Sequence, residues 1–130
     1  KCGINKSISS FTIPLGATIN MDGTAIMQGC ATFFLASLYG IDLGMAEILT
    51  IVITATIASI GTAGIPSAGI IMLTVIFTQI GIPLEGITLL LGVDRLLDMM
   101  RTSINVSGDL CISCIVANSE NRIDETIFKS

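Results

Sequence analysis

The sequence predicts an all-α membrane protein with a broken transmembrane helix, a re-entrant helical hairpin and an amphipathic transmembrane helix. Three observations predict this fold class. Only 12% of the 130 residues are charged, and the mean hydropathy of +0.87 favours lipid as the surrounding solvent. Residues 48–84 contain no charged residue. The most polar helical segment, residues 94–109, still lies between apolar flanks.

The first apolar block, residues 8–40, predicts a transmembrane helix interrupted by the polar cluster at residues 20–24. Asp22 is the only charged residue in the block. The Asn, Asp, Gly and Thr side chains of this cluster favour turns and local backbone hydrogen bonds over a continuous helix. Within a membrane, such a break is tolerated where it lines a cavity. A loop between two soluble helices is the alternative.

The second block, residues 45–82, predicts a re-entrant helical hairpin. Its centre contains Gly61, Gly64, Pro66 and Gly69, which together end a helix. Each flanking arm would extend only about 18–20 Å at ~1.5 Å per residue, which is less than the ~30 Å hydrocarbon core. Two buried helices of a soluble bundle would show the same pattern. A phosphate-binding glycine loop is disfavoured because no Lys-Ser or Lys-Thr pair follows the glycines directly.

The third block, residues 84–117, predicts a transmembrane helix with one polar stripe, followed by a soluble tail at residues 118–130. At about 100° per residue, six polar side chains share about 100° of arc. They are Asp94, Asp98, Arg101, Thr102, Asn105 and Asp109. A charged group facing lipid costs on the order of 2.5–3.5 kcal/mol, so we expect the stripe to face a site. A solvated face of a soluble helix is the alternative.

Composition excludes several classes of function. The chain has no histidine, the commonest general base and metal ligand, so we expect neither an enzyme nor a bound cofactor. Cys111 and Cys114 have the spacing of a redox motif but lie in an apolar helical run, where small packing residues are expected. The net charge is −4 and no basic residue lies between Lys6 and Arg95, which argues against nucleic-acid binding.

The side chains of the stripe suit a small zwitterion. Arg101 offers a planar, permanently charged fork for a carboxylate. Asp98 lies one helical turn away and suits an ammonium group, while Thr102 and Asn105 could orient the polar atoms between them. An acidic amino acid carries all of the complementary groups. The alternative is that Arg101 and Asp98 only neutralise each other as a buried pair.

Oxygen-bearing residues also predict cation binding. Asp22, Asp109, Asn20 and carbonyls exposed at helix breaks are the ligands that a hard cation such as Na⁺ prefers. In the polar cluster at residues 20–24 and the polar segment at residues 94–109, carboxylates outnumber arginines: Asp22, Asp94, Asp98 and Asp109 against Arg95 and Arg101. The excess negative charge favours bound cations. Because carboxylates serve either ion, Na⁺ and H⁺ both remain open.

Three motifs closely resemble those of the glutamate/aspartate transporter family of dicarboxylate/amino acid:cation symporters. They are Ala-Thr-Ile-Asn-Met-Asp-Gly-Thr at 17–24, Ser-Ile-Gly-Thr-Ala-Gly-Ile-Pro at 59–66 and Asp-Met-Met-Arg-Thr-Ser-Ile-Asn-Val-Ser-Gly-Asp at 98–109. The resemblance covers nearly the whole chain. It implies that residues 1–130 are the C-terminal part of a transport domain, with the broken seventh helix, the second re-entrant hairpin and the eighth helix of the family.

The resemblance also implies roles for individual residues. Arg101 would bind the substrate side-chain carboxylate and Asp98 its amino group. Thr102, Asn105 and Thr24 would orient the substrate, and the backbone at Ile65 and Gly69 would close over it. The first cation site would use Asp109 with carbonyls of Gly16, Asn20 and Asn105. The second would use carbonyls of Thr18, Ser59, Ile60 and Thr62, and the third Asn20 and Asp22. Asp94 and Met21 would support this network.

The family implies Na⁺- or H⁺-driven symport of glutamate or aspartate by an elevator motion, with the hairpin as gate. The expected partners are the substrate, the lipid bilayer, a missing N-terminal portion and two further copies in a homotrimer. The expected location is the plasma or inner cell membrane. A C4-dicarboxylate or neutral amino-acid symporter of the same family remains an alternative. Fragments of an ion channel or of a soluble helical enzyme are alternatives of different classes.

Overall fold

The computed structural model describes residues 2–62 and 68–128, and within them the protein is built from helices. The helices are α1 Lys6–Ile19, α2 Asp22–Leu38, α3 Met45–Gly61, α4 Ala68–Ile80, α5 Ile87–Leu91, α6 Asp94–Ser119 and α7 Glu125–Phe128, with a 3₁₀ turn at Leu84–Gly86. The only β pairing among the described residues is an isolated bridge between Ile4 and Ile123. The predicted all-α class is therefore confirmed for this part of the chain.

The first apolar block is divided into α1 and α2 by two residues, Asn20 and Met21. Both have non-helical backbone angles, with ψ of 75° at Asn20 and 54° at Met21. Asp22 and Thr24 belong to the first turn of α2, so the break is shorter than the polar cluster from which it is predicted. A carboxylate in the first turn is favourable because the N-terminus of a helix is electropositive.

The helices α3 and α4 form the two arms of the second block and pack against each other. Both also pack against α2, and the apolar core lies among these three helices. Leu35, Ile51, Leu73, Ile76 and Phe77 are its most deeply buried large side chains. The chain between the arms, residues 63–67, lies outside the described residues. The core therefore fixes where the first turn of α4 lies relative to α2.

The third block differs from the single helix expected over residues 84–117. After the 3₁₀ turn, α5 ends at Leu91 and the long helix α6 begins only at Asp94. Gly92, a weak helix former, precedes Val93, whose φ of −115° and ψ of −3° depart from helical values. Asp94 consequently lies in the first turn of α6, where its negative charge is favourable.

Several polar side chains are buried in this protein, while several large apolar side chains are exposed. Arg101 and Asp109 are buried, whereas Phe11, Met45 and Leu96 are each more than 60% exposed. Within residues 2–62 and 68–128, no helix joins sufficient length to sufficient hydropathy to cross a membrane.

The two ends of the described chain pack together. The Asn5 amide donates to the Arg122 carbonyl at 3.2 Å, and the Asp124 amide donates to the Gly3 carbonyl at 2.8 Å. Gly3 has φ of +64°, and a Cβ there would lie 2.5 Å from the Asp124 carbonyl oxygen, so a glycine is required. Hydrogen bonds from the side chain and backbone of Thr126 hold the pKa of the Asp124 carboxyl below its ordinary value.

Candidate substrate and cation sites

A buried guanidinium lies on the face of α6 that packs against α2. Arg101 is 5% exposed, and its Nη2 donates to Asp98 Oδ1 at 2.5 Å. The same nitrogen lies 3.5 Å from Asp94 Oδ1. Asp98 retains 21% side-chain exposure, whereas Asp94 retains 8%. The three side chains carry a net charge of −1, and the more accessible carboxylate is the one beside the arginine.

The second terminal nitrogen of Arg101 points toward the hairpin. A Cβ on Gly69 would lie 2.7 Å from Arg101 Nη1, so a glycine lets the first turn of α4 come this close without displacing the guanidinium. Nη1 is buried and has no hydrogen-bond partner among the described residues. Leaving a buried donor unsatisfied costs about 1–3 kcal/mol, and more for a charged group. The position therefore favours a bound anion.

Asn105 joins α6 to the start of α2. Its Oδ1 accepts a hydrogen bond from the Gly23 amide at 2.8 Å, and its Nδ2 donates to Thr24 Oγ1 at 3.3 Å. Thr24 is 1% exposed. Because a hydroxyl that accepts a hydrogen bond keeps its own hydrogen to donate, Thr24 can still bind a second acceptor.

Gln28 is a buried polar residue that sequence reasoning missed. Its Nε2 donates to the Gly69 carbonyl at 3.2 Å, and its Oε1 has no partner in the described part of the chain. The side chain thus links α2 to the same turn of α4 that lies against Arg101. The available signal was a glutamine in an apolar helix, one turn after Thr24 and so on the same face.

A second polar cluster joins α1 to α6. Asn20 Nδ2 donates to Asp109 Oδ1 at 3.0 Å. The backbone of Gly16 lies against the same carboxylate so closely that a Cβ on Gly16 would overlap Oδ1. Gly108 similarly allows the side-chain amide of Asn20 to approach α6, because a Cβ on Gly108 would lie 2.6 Å from Asn20 Nδ2. These residues place one buried carboxylate beside the end of α1.

An apolar cavity of about 260 Å³ adjoins this cluster. Thr12, Gly16, Asn20 and Asp109 are among the lining residues, but the surface that the cavity presents is apolar and comes from side chains of α1 and α6. Among the described residues, no group of three or more Cys, Asp or Glu side chains lies close enough to hold a metal ion. A cation here would therefore depend on one carboxylate together with amide and backbone oxygens, a ligand set that suits a hard cation.

Comparison with known proteins identifies the family. The model of the sodium:dicarboxylate symporter family matches residues 1–119. The chain belongs to this family. Its relatives include excitatory amino acid transporter 2 of Mus musculus, 52% identical over 107 residues, and excitatory amino acid transporter 3 of Homo sapiens, 50% identical over 106 residues. Each match covers 82% of this chain, which spans only about a fifth of either relative's length (19% and 20%).

In this family member, the expected substrate residues are not all brought together. Arg101 contacts Asp98 and Gly69, and Asn105 bonds to Thr24. The two groups meet at Gly69, where a Cβ would lie 3.3 Å from Thr24 Cγ2. Thr102 follows Arg101 on α6, but its side chain is exposed. Ile65 lies outside the described residues.

The other expected cation ligands are more dispersed. Asp22 is exposed in the first turn of α2, and Met21 is buried beside the break. Thr18 is exposed, and its hydroxyl donates to the Leu15 carbonyl of its own helix. The remaining three lie at the end of α3, which packs against α1. Ser59 and Thr62 are buried there with hydroxyls bonded within α3, and Ile60 is 50% exposed.

Proposed function

We propose that the full-length protein containing this chain is a secondary active symporter that carries glutamate or aspartate together with Na⁺. The buried Nη1 of Arg101 carries the proposal, because it lies against the first turn of α4 with no acceptor in the described part of the chain. A guanidinium binds a carboxylate through two parallel hydrogen bonds. The side-chain carboxylate of an acidic substrate would supply the missing acceptor.

Asp98 favours an amino acid over a C4-dicarboxylate. Its carboxylate is partly exposed and lies beside the guanidinium, so a substrate held by Arg101 would bring its ammonium group within reach of Asp98. A C4-dicarboxylate has no ammonium group and would place a second carboxylate near Asp98, which is unfavourable. Thr24 and Asn105 would orient the substrate from the start of α2, and Thr102 from α6.

Cations would bind near the C-terminal end of α1 and the end of α3, beside the two breaks in the apolar blocks. In the first site, Asp109 would act with carbonyls of Gly16, Asn20 and Asn105. The second and third sites would use the carbonyls at Thr18, Ser59, Ile60 and Thr62, and the pair Asn20 and Asp22. Asp94 and Met21 would support the network. The family description names sodium, which favours Na⁺ over H⁺ as the coupling ion.

The hairpin formed by α3 and α4 would act as the gate. Because Gly69 lies against Arg101, this turn of α4 would move away to admit a substrate to the guanidinium, and the backbone at Ile65 and Gly69 would then close over it. The exposed apolar side chains would contact lipid or the remainder of a multi-pass protein in the cell membrane. We further propose that the transport domain moves against the scaffold of a homotrimer.

The test is uptake of radiolabelled aspartate by the full-length protein in liposomes, under an imposed Na⁺ gradient or a pH gradient. We expect uptake to follow the Na⁺ gradient. The Arg101→Cys variant should lose at least about thirtyfold in aspartate uptake, because truncating one partner of a buried charge pair costs about 2–5 kcal/mol. It should also admit neutral amino acids. Arg95→Cys is the matched control, since Arg95 is exposed on the same helix.

Each part of the proposal has an outcome that contradicts it. Unchanged aspartate affinity in Arg101→Cys would show that the arginine does not bind the substrate. Uptake driven only by the pH gradient would identify H⁺, and not Na⁺, as the coupling ion. Preference for succinate over aspartate would identify a C4-dicarboxylate carrier, and ion flux without gradient-coupled aspartate uptake would identify a channel.

A further inference from the structure

A buried pair of hydroxyl groups joins α1 to α6 beyond the Asp109 cluster. Thr12 Oγ1 lies 2.7 Å from Ser113 Oγ, and the two residues are 9% and 0% exposed. Thr12 precedes Gly16 by four residues, and Ser113 follows Asp109 by four residues. Since residues four apart share a helix face, the pair lies one turn along the same interface.

The hydrogens of this pair fit two arrangements. Besides their mutual contact, Thr12 Oγ1 lies 3.0 Å from the Ile8 carbonyl oxygen and Ser113 Oγ lies 2.7 Å from the Asp109 carbonyl oxygen. Two hydroxyl hydrogens serve these three contacts. Either Thr12 donates to Ser113, which donates to the Asp109 carbonyl, or Ser113 donates to Thr12, which donates to the Ile8 carbonyl. Both arrangements preserve the hydrogen bond between the helices.

The contacts follow one antiparallel register. Thr12 faces Ser113, Gly16 faces Asp109, and Asn20 also contacts Asp109. Both the glycine contact and the Asn20 contact depend on how far α1 has slid along α6. The oxygen ligands of a cation must be placed within a few tenths of an ångström, so a small shift in register would disturb the first proposed cation site.

We infer that Thr12 and Ser113 are positioning residues for the Asp109 cation site: their hydroxyl pair fixes the register that holds Gly16 and Asn20 against the Asp109 carboxylate. The inference rests on the proposed function. Among the described residues, the hydroxyls of Thr12 and Ser113 bond to each other and to the backbone carbonyls of Ile8 and Asp109, not to the Asp109 carboxylate. The pair would therefore act on Na⁺ binding through the placement of α1. Removing it should weaken coupling to Na⁺ more than binding of the amino acid.

The test uses the full-length protein in liposomes and measures aspartate uptake against Na⁺ concentration. In Thr12→Val, which keeps the shape and loses the hydroxyl, the Na⁺ concentration at half-maximal uptake should rise about threefold to tenfold, the range expected from one buried hydrogen bond. The KM for aspartate at saturating Na⁺ should stay within about twofold of wild type, since a uniform structural loss would move both. Thr12→Ser retains a hydroxyl and should restore the wild-type Na⁺ dependence.

Two further variants test whether the effect is specific to the hydroxyl pair. Ser113→Ala removes the other hydroxyl with a smaller change in volume, and we expect the same shift in Na⁺ dependence, with no larger shift in the double variant. Thr32→Val is the matched control, because Thr32 is also fully buried but its hydroxyl donates only to the Gln28 carbonyl of its own helix. It should keep the wild-type Na⁺ dependence.

The outcomes separate this inference from the proposed function. Wild-type protein without Na⁺-dependent aspartate uptake would overturn the proposed function. Wild-type uptake with unchanged Na⁺ dependence in both Thr12→Val and Ser113→Ala would overturn the positioning role alone. An equal rise in the aspartate KM, or failure of Thr12→Ser to restore the Na⁺ dependence, would overturn it as well.

Discussion

At the scale of single residues, Arg101 is buried, and the described part of the chain pairs only one end of its guanidinium. Its Nη2 is occupied by the protein's own carboxylates, whereas Nη1 has no partner among the described residues. A buried ion pair formed only for stability would satisfy both ends of the guanidinium, because desolvation otherwise outweighs the attraction. The lack of a partner for Nη1 within residues 2–62 and 68–128 therefore favours a ligand over the alternative that Arg101 and Asp98 only neutralise each other.

Asp109 is the residue whose charge we expect to determine Na⁺ dependence. Asp109→Asn keeps the size of the side chain but removes the negative charge, so the half-saturating Na⁺ concentration should rise at least about tenfold, as expected from losing the charge of a carboxylate ligand. The measurement is aspartate uptake by the full-length protein at varied Na⁺. Asp42→Asn, at an exposed position, should leave uptake unaffected. Wild-type Na⁺ dependence in Asp109→Asn would contradict the assignment.

At the scale of helices, the polar face of α6 could be predicted from the sequence, whereas the boundary between α5 and α6 could not. The six-residue polar stripe is predicted from angular position alone. Its members Asp94, Arg101 and Asp109 are buried, Asp98 and Asn105 are half-buried, and Thr102 is exposed. The boundary between α5 and α6 is not predicted, because an apolar run containing a single glycine does not by itself indicate a break. The structure places this boundary at Val93, whose backbone angles depart from those of the helix, with Asp94 as the first residue of α6.

The close approach of α1 to α6 makes Gly16 sensitive to substitution. Gly16→Ala would place a Cβ into the Asp109 carboxylate, so we expect destabilisation of about 1–3 kcal/mol together with a higher half-saturating Na⁺ concentration. Thermal unfolding and Na⁺-dependent uptake of the full-length protein measure the two effects. Gly29→Ala is the matched helical control, because its Cβ would meet nothing within 4 Å. Equal behaviour of the two variants would contradict the proposed close contact.

At the scale of the whole molecule, α2 connects the two proposed functional parts. It packs against α3 and α4 on one side and against α6 on another. Gln28 of α2 bonds to the Gly69 carbonyl, and Gly69 lies against Arg101. Movement of the hairpin is therefore expected to change the surroundings of Arg101 directly, which is what a gate over a substrate site requires.

We expect that this chain alone does not transport. It spans about a fifth of its relatives' length, and the family resemblance implies a scaffold and a first hairpin in the remainder. Liposomes containing only residues 1–130 should show no accumulation of aspartate under an Na⁺ gradient, whereas the full-length protein should. Accumulation by the short chain would contradict the proposal that the remaining segments complete the site.

The sequence by itself determined the helical class, the family and the residue types of the site. These follow from hydropathy, from the turn-forming cluster at residues 20–24 and from the angular spacing of polar residues on α6, all of which are local properties. It could not determine that Gln28 reaches the Gly69 carbonyl, nor that Thr12 meets Ser113, because these pairs lie on different helices. Their contacts depend on helix register and on how closely glycines let two backbones approach. Only the tertiary structure decided those distances, and they are what join the polar stripe to its neighbouring helices in the candidate site.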